Sequence, residues 1–220
     1  MSSPAGQRFQ ESDVLRMFPS FAWKAELRGE ISQPMNDAIL RALGELGAPL
    51  AGLKPGESWQ SDHGLHMQEP FRALVDCIDE AALSVLAYLE VAHGRIKVTG
   101  CWANVNAPGA GHRIHSHPNN YLSGVYYVAV PPPGSKIFFQ DPRPSMIMPK
   151  PRQYSRLTAN SANAESKEGR MLLFPAWLKH SVPSNQGQTD RISISFNLMF
   201  KSFAETMAAP MWDATAGKEE

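Results

Sequence analysis

Cysteine is scarce in this chain. Cys77 and Cys101 are the only two in 220 residues, each in an apolar setting, so no disulfide framework is indicated and a reducing compartment is the simpler reading. Charge of one sign is missing too. Lys and Arg number 21, Asp and Glu 21, and a chain of zero net charge does not bind nucleic acid through bulk electrostatics. No apolar run is long enough to span a bilayer, and the first residues carry Arg8, Glu11 and Asp13 instead of an apolar signal core. The expectation is a cytoplasmic chain without membrane or nucleic-acid partners; homo-oligomerisation stays open. Internal repeats are absent. What remains has the length and apolar content of one globular domain.

Residues 1–12 are small and polar and read as disordered. Phe18, Phe21 and Trp23 suggest a first strand or an anchoring segment. Met35, Ala38, Ile39, Ala42, Leu43 and Leu46 recur at the 3.6-residue period, with Pro34 as a first helical residue and Gly47 as a stop. Residues 47–68 read as irregular. A second helix is expected from about Pro70 to Leu89, its stripe built from Phe71, Leu74, Val75, Ile78, Ala82, Val85, Leu86 and Leu89. Both stripes need a flat apolar surface to cover.

After Gly94 the pattern becomes short strands broken by Gly and Pro, at 95–106, 112–117, 122–130, 136–140, 170–174 and 190–200. Residues 141–169 form a long Pro-rich connection of the kind that more often serves function than packing. The division expected is a helical part over 1–93, a strand-built core over 94–203 and a tail over 204–220, all in one domain. Helices followed by strands point to a mostly-β fold, an antiparallel jelly roll with helices packed outside one sheet.

Three of the seven histidines fall within His112–His117. In a strand, His115 and His117 share a face and can chelate one metal, whereas Ile114 and Ser116 do not continue an apolar pattern. His112, three residues away, would face the opposite side. His180, after the apolar Leu172–Phe174, supplies an imidazole from a second strand. Three imidazoles with open positions suit iron(II). The plainer readings are a solvated strand end for the pair and a surface hairpin histidine for His180.

The segment Arg191–Phe200 alternates. Ile192, Ile194, Phe196, Leu198 and Phe200 form one face, and Arg191, Ser193, Ser195, Asn197 and Met199 the other. If the second face points inward, Arg191 needs a buried anion, because an unpaired buried charge is too costly. A guanidinium fork with the Ser193 hydroxyl two residues on is shaped for a carboxylate. The alternative is an edge strand with a solvated polar face.

The spacing His115-x-His117, His180 and Arg191-x-Ser193 resembles the 2-oxoglutarate/iron(II) dioxygenase superfamily on its cupin-like double-stranded β-helix. The stretches His115–Val128, Phe139–Arg143, Leu173–His180 and Arg191–Asn197 resemble a bacterial and phage group within it, over about residues 95–200. The resemblance implies iron(II) held by His115, His117 and His180. It implies 2-oxoglutarate as cosubstrate with its far carboxylate on Arg191 and Ser193, and oxidation of a substrate C–H bond with release of succinate and CO2. The superfamily's first pair is usually His-x-Asp or His-x-Glu, so His117 stands where a carboxylate is expected; Asp141 is a lower-ranked candidate for that ligand. Asn104, Tyr121 and Tyr126 are candidates for lining the cosubstrate pocket. Trp102 and Trp177 read as packing. Asp141 and Arg143 either meet substrate or pair at a turn, and Lys150, Arg152 and Arg156 read as a solvated loop. Competing readings are a three-histidine cupin-type iron dioxygenase without 2-oxoglutarate, a non-catalytic metal-binding cupin, and a structural jelly roll. The substrate, a small molecule or peptide, is not named by the sequence.

Overall fold

Strand-forming residues dominate the second half of the chain, and in the computed structural model they form two antiparallel sheets. Residues 13–15, 17–91, 96–143, 152–155 and 158–201 are described. The elements are β1 (Trp23–Glu26), α1 (Gly29–Glu45), β2 (Ser58–Gln60), α2 (Arg72–Tyr88), β3 (Ile96–Asn106), β4 (His112–His115), β5 (Leu122–Ala129), β6 (Lys136–Gln140), β7 (Ser161–Glu165), β8 (Arg170–Pro175), β9 (His180–Val182) and β10 (Arg191–Phe200). The larger sheet runs β1-β8-β5-β10-β3-β2 and the smaller β4-β9-β6-β7. From β3 onward the chain passes back and forth between the sheets, which is the jelly-roll arrangement expected.

The alternation of β10 sets which side of the large sheet is which. Ile192, Ile194, Phe196 and Leu198 are buried in one cluster with Ile39 and Leu43 of α1 and Leu74 and Ile78 of α2. Phe196 lies opposite Gly124 in the register. A Cβ at Gly124 would sit 2.3 Å from the Phe196 ring, so glycine is what lets the two strands close here. A second cluster, including Val125, Tyr127, Ile137, Phe139 and Phe174, lies on the other side. Strand interiors therefore carry apolar residues on both faces.

Several details depart from the sequence reading. Pro34 lies inside α1, which begins five residues earlier at Gly29. At this sixth position the ring removes one bond of the helix, that of an N–H reaching the carbonyl four residues back. Pro70 belongs to a short 3-10 turn, Glu69–Phe71, that leads into α2. The irregular 47–68 stretch contains β2 and a 3-10 turn at Leu65–Met67. The long connection contains β7, whose Ser-Ala-Asn-Ala-Glu has no large apolar side chain and so no readable strand pattern. Phe18 is exposed, and the anchoring role falls to Phe21 and Trp23, whose rings lie 5.2 and 5.4 Å from Tyr88 of α2. The expected disorder of 1–12, Gly94, Lys150, Arg156 and the tail from 204 lie outside the described residues.

Tyr126 is the main correction. It faces the helices, not the inner space between the sheets, and its hydroxyl donates to Asn36 Oδ1 of α1 at 2.7 Å. Asn36 Nδ2 in turn donates to Val128 O at 3.1 Å. The pair is a buried polar clasp between α1 and β5. Tyr126→Phe leaves Asn36 Oδ1 without its donor and is expected to cost about 1–2 kcal/mol of stability in urea denaturation, with 2-oxoglutarate affinity unchanged; a fall in that affinity would return Tyr126 to the pocket.

Candidate metal and cosubstrate site

The inner face of β10 and its neighbours forms the floor of a cavity of about 1300 Å³. Rows across β10 and β3 pair Arg191 with Asn106, Ser193 with Asn104, Ser195 with Trp102, Asn197 with Gly100 and Met199 with Lys97. Arg191, Ser193 and Asn104 all line the cavity as the sequence suggested. The polar floor is knitted together. Gln60 Nε2 donates to Asn104 Oδ1 at 2.9 Å, Asn104 Nδ2 to Ser195 Oγ at 2.9 Å, and Ser123 Oγ to Asn197 Oδ1 at 2.7 Å.

His115, His117 and His180 converge. Their nearest ring nitrogens lie within 4.8 Å of one another. The rings are 4.3 Å apart for His115–His180, 5.0 Å for His115–His117 and 5.2 Å for His117–His180. Ligand nitrogens at about 2.1 Å from one metal stand roughly 3 Å apart, and this group is somewhat wider than such a bound set. His115 ends β4 and pairs with His180 of β9. His117 lies in the turn beyond β4, where its N–H donates to Ala176 O at 2.9 Å.

The backbone selects the donor atoms. His115 Nδ1 is 2.7 Å from Arg113 O, and His180 Nδ1 is 2.9 Å from Leu178 O. A carbonyl only accepts, so each Nδ1 carries the proton and each Nε2 keeps a lone pair for a metal. Burial, then the nearby His180, His115 and His63, pushes His117 down to about 4. Burial also takes His180 down to about 4 against the opposing pull of Leu178 O. These imidazoles are neutral ligands at pH 7, and the donor set fits a divalent transition metal.

Arg191 is 2% exposed, and no carboxylate pairs with it among the described residues. Its Nη1 donates to Ser135 Oγ at 3.2 Å and its Nη2 to Asn106 Oδ1 at 3.2 Å. Of the buried polar atoms without a partner among the described residues, Tyr127 Oη and Asn106 Nδ2 belong to the strands flanking β10. Tyr127 lies opposite Ser193 on β5 and lines the cavity. The sequence offers Tyr121 and Tyr126 as pocket tyrosines, and the cavity is lined by Tyr127 instead; for Tyr126 the one-residue difference is a difference of sheet face.

His112 also lines the cavity, against expectation. The register shifts between His112 and His115, and this irregularity turns His112 inward. Its Nε2 donates to Asn106 Oδ1 at 3.1 Å, the oxygen that also accepts from Arg191. Burial, then Arg191 and His115, pushes His112 down to about 4. Asp141 is not with the histidines; it pairs with Arg143 at 2.6 Å. Trp177 is 55% exposed and so not a packing residue, whereas Trp102 is buried, stacked 4.4 Å from His63, and lines the cavity. Tyr121 packs on Phe200 with ring centroids 4.6 Å apart. Arg152 is exposed.

Residues 100–197 match the model of the family described as "Putative 2OG-Fe(II) oxygenase". No curated protein matches in sequence. Among solved structures, the non-heme alpha ketoglutarate dependent carbocyclase SnoK from nogalamycin biosynthesis superposes with a TM-score of 0.60 at 12% identity, covering 82% of this chain and 80% of its own. The Pseudomonas putida prolyl-4-hydroxylase gives 0.54 at 14%, covering 83% and 94%. The viral collagen prolyl hydroxylase of Paramecium Bursaria Chlorella virus-1, in its 2OG complex, gives 0.52 at 13%, covering 80% and 94%. At these identities the likeness is one of fold. Among the described residues no helix is long and apolar enough to cross a membrane.

His112, His117 and His180 all titrate lower in the fold than in the open chain. The unfolded chain takes up these protons from about pH 6.5 downward, the folded metal-free protein only near 4. Between those values the unfolded state holds more protons, so stability falls as pH falls. The urea midpoint of metal-free protein is expected to be lower at pH 5 than at pH 7, and replacing His112 by Asn should flatten that slope.

Proposed function

We propose that this chain, a member of the 2-oxoglutarate/iron(II) oxygenase superfamily, oxidises a C–H bond of a substrate held beside His115, His117 and His180, with 2-oxoglutarate anchored by Arg191. The observation that carries this reading is the buried guanidinium without a counter-charge. A lone buried cation is costly unless an anion joins it. Here it is accompanied by two buried groups with hydrogens to donate, Tyr127 Oη and Asn106 Nδ2, and by the Ser193 hydroxyl. A carboxylate accepts from all of these donor types and supplies the missing charge.

His115, His117 and His180 are the residues that would hold the iron, through Nε2 of His115 and His180 and a ring nitrogen of His117. Iron(II) with 2-oxoglutarate and oxygen supplies the oxidising power, and the products are succinate, CO2 and the oxidised substrate. The chain's own part is positional. Arg191, Tyr127 and Ser193 fix the far end of the cosubstrate. Val125, Ile137, Phe174 and Val182 give the cavity apolar walls that keep water from the reacting end. His112 and Ser135 hold Asn106 and Arg191 in place without bringing in a negative charge that would compete for the guanidinium.

The all-imidazole set also favours a second reading, an iron dioxygenase that uses no 2-oxoglutarate. Succinate released on oxygen consumption separates the two; oxygen uptake without succinate selects the second.

Under anaerobic conditions, iron(II) and 2-oxoglutarate together are expected to give a visible charge-transfer band. Arg191→Ala removes a charge-assisted contact worth about 1.5–3 kcal/mol, so half-development of the band should need roughly 10- to 150-fold more 2-oxoglutarate. Tyr127→Phe should shift it by about 2- to 10-fold, and His180→Ala should abolish iron retention. An unchanged band in Arg191→Ala would remove the cosubstrate assignment.

A further inference from the structure

The cavity is larger than the cosubstrate needs. Pockets for drug-sized ligands run to about 300–1,000 Å³, and this one is about 1300 Å³. Its second feature is charge. Among the described residues, not one Asp or Glu lines it, and its two permanently charged side chains are both cations, Arg191 and Lys97.

Those two cations stand at opposite ends of the floor. Arg191 begins β10, and Lys97 is paired with Met199 near its other end. Eight residues of strand separate the two rows, roughly 26 Å at about 3.3 Å per residue. A five-carbon dicarboxylate clamped by Arg191 cannot reach Lys97. The histidines sit between: the His117 ring is 5.9 Å from that of Trp102, which pairs with Ser195 in the middle of β10. Four residues of strand, roughly 13 Å, lead from that row to Arg191 on one side and to Met199 and Lys97 on the other. The cosubstrate takes the first half. The second half is empty of any assigned role.

Its residues have a consistent chemistry. Lys97 makes no ion pair or hydrogen bond among the described residues. Asn197 has its oxygen satisfied by Ser123, which leaves its amide hydrogens facing the cavity. His63 stacks on Trp102 beside Gly100 and is exposed on its other side. Asp62, next to His63, is exposed and does not line the cavity. With Arg191 matched to the cosubstrate, Lys97 is the remaining charged side chain of the described lining, and no Asp or Glu there competes for it.

Resting on the function proposed above, we infer that the substrate is an elongated anion, a carboxylate or a phosphate monoester. Its charged head is held by Lys97, and its body runs along Asn197 and Ser195 to bring a C–H group to the histidines. The head group then lies on the order of 13 Å from the reacting carbon. Lys97 acts as the specificity determinant, since an ammonium in a cavity with no Asp or Glu in its described lining favours anions over neutral molecules of the same shape.

The test uses full-length protein loaded with iron(II) and saturated with 2-oxoglutarate under anaerobic conditions. Hexanoate, hexyl phosphate and hexanamide are titrated by calorimetry. At least one anion is expected to bind ten-fold or more tighter than hexanamide, and the tighter of the two names the head group. Lys97→Gln should erase the preference, and Lys97→Glu should transfer it to hexylamine, with 2-oxoglutarate affinity and the urea midpoint unchanged in both. Equal binding of hexanamide, no binding of either anion, or a preference that survives in Lys97→Gln would overturn the inference. Failure of 2-oxoglutarate itself to bind the wild-type protein would instead overturn the function on which it rests.

Discussion

The two-residue period of β10 is the constraint on which the rest of the molecule depends. One set of its side chains closes the core under α1 and α2; the other furnishes the floor of the cavity from end to end. Because the period is two, the packing face and the functional face cannot be altered independently in register: a slip by one residue would send Arg191 into the helices and Ile192 into the cavity. The packing of Phe196 over Gly124 helps to fix that register, and the clasp of Tyr126 with Asn36 ties the same sheet to α1. The helices therefore do more than cover apolar surface. Their weight on one side of the sheet keeps the guanidinium aimed at the other.

The polar interior is arranged around positive charge. Arg191 is held by oxygens that are neutral, those of Asn106 and Ser135. The candidate metal ligands are imidazoles, which bring no negative charge of their own. Both choices leave negative charge to be brought in by ligands. Buried polar groups without a partner, Tyr127 Oη and Asn106 Nδ2 among them, cost stability. Under the substrate inferred above the cavity would select by charge, since no Asp or Glu lines it among the described residues.

Much of this could be read from the sequence, for definite physical reasons. The stripes of α1 and α2 and the alternation of β10 are long periodic patterns, and each maps directly to a buried face. The histidines and Arg191 were legible because few structural roles require them at such spacing. Tyr126 and Tyr127 were not distinguishable, since β5 is buried on both faces and has no polar–apolar alternation to orient it. His112 was placed on the wrong side because a register irregularity in a four-residue strand leaves no local signature. The strand β7 was invisible for want of large side chains, and the Lys97 half of the cavity was invisible because β3 is buried along most of its length and its pattern does not mark a cavity face, while His63 reaches Trp102 from outside the strands.

The attachment of His115 and His180 to the carbonyls of Arg113 and Leu178 bears on how the site tolerates mutation. In each case the anchor lies two positions upstream on the same strand or turn, and it belongs to the main chain. Metal-site histidines are often steered by an acidic side chain, which drift can delete. A peptide oxygen survives every substitution at its own position. Substitutions in the cavity walls, or at Arg113 and Leu178 themselves, therefore leave in place the oxygens that set the bearing of those two rings.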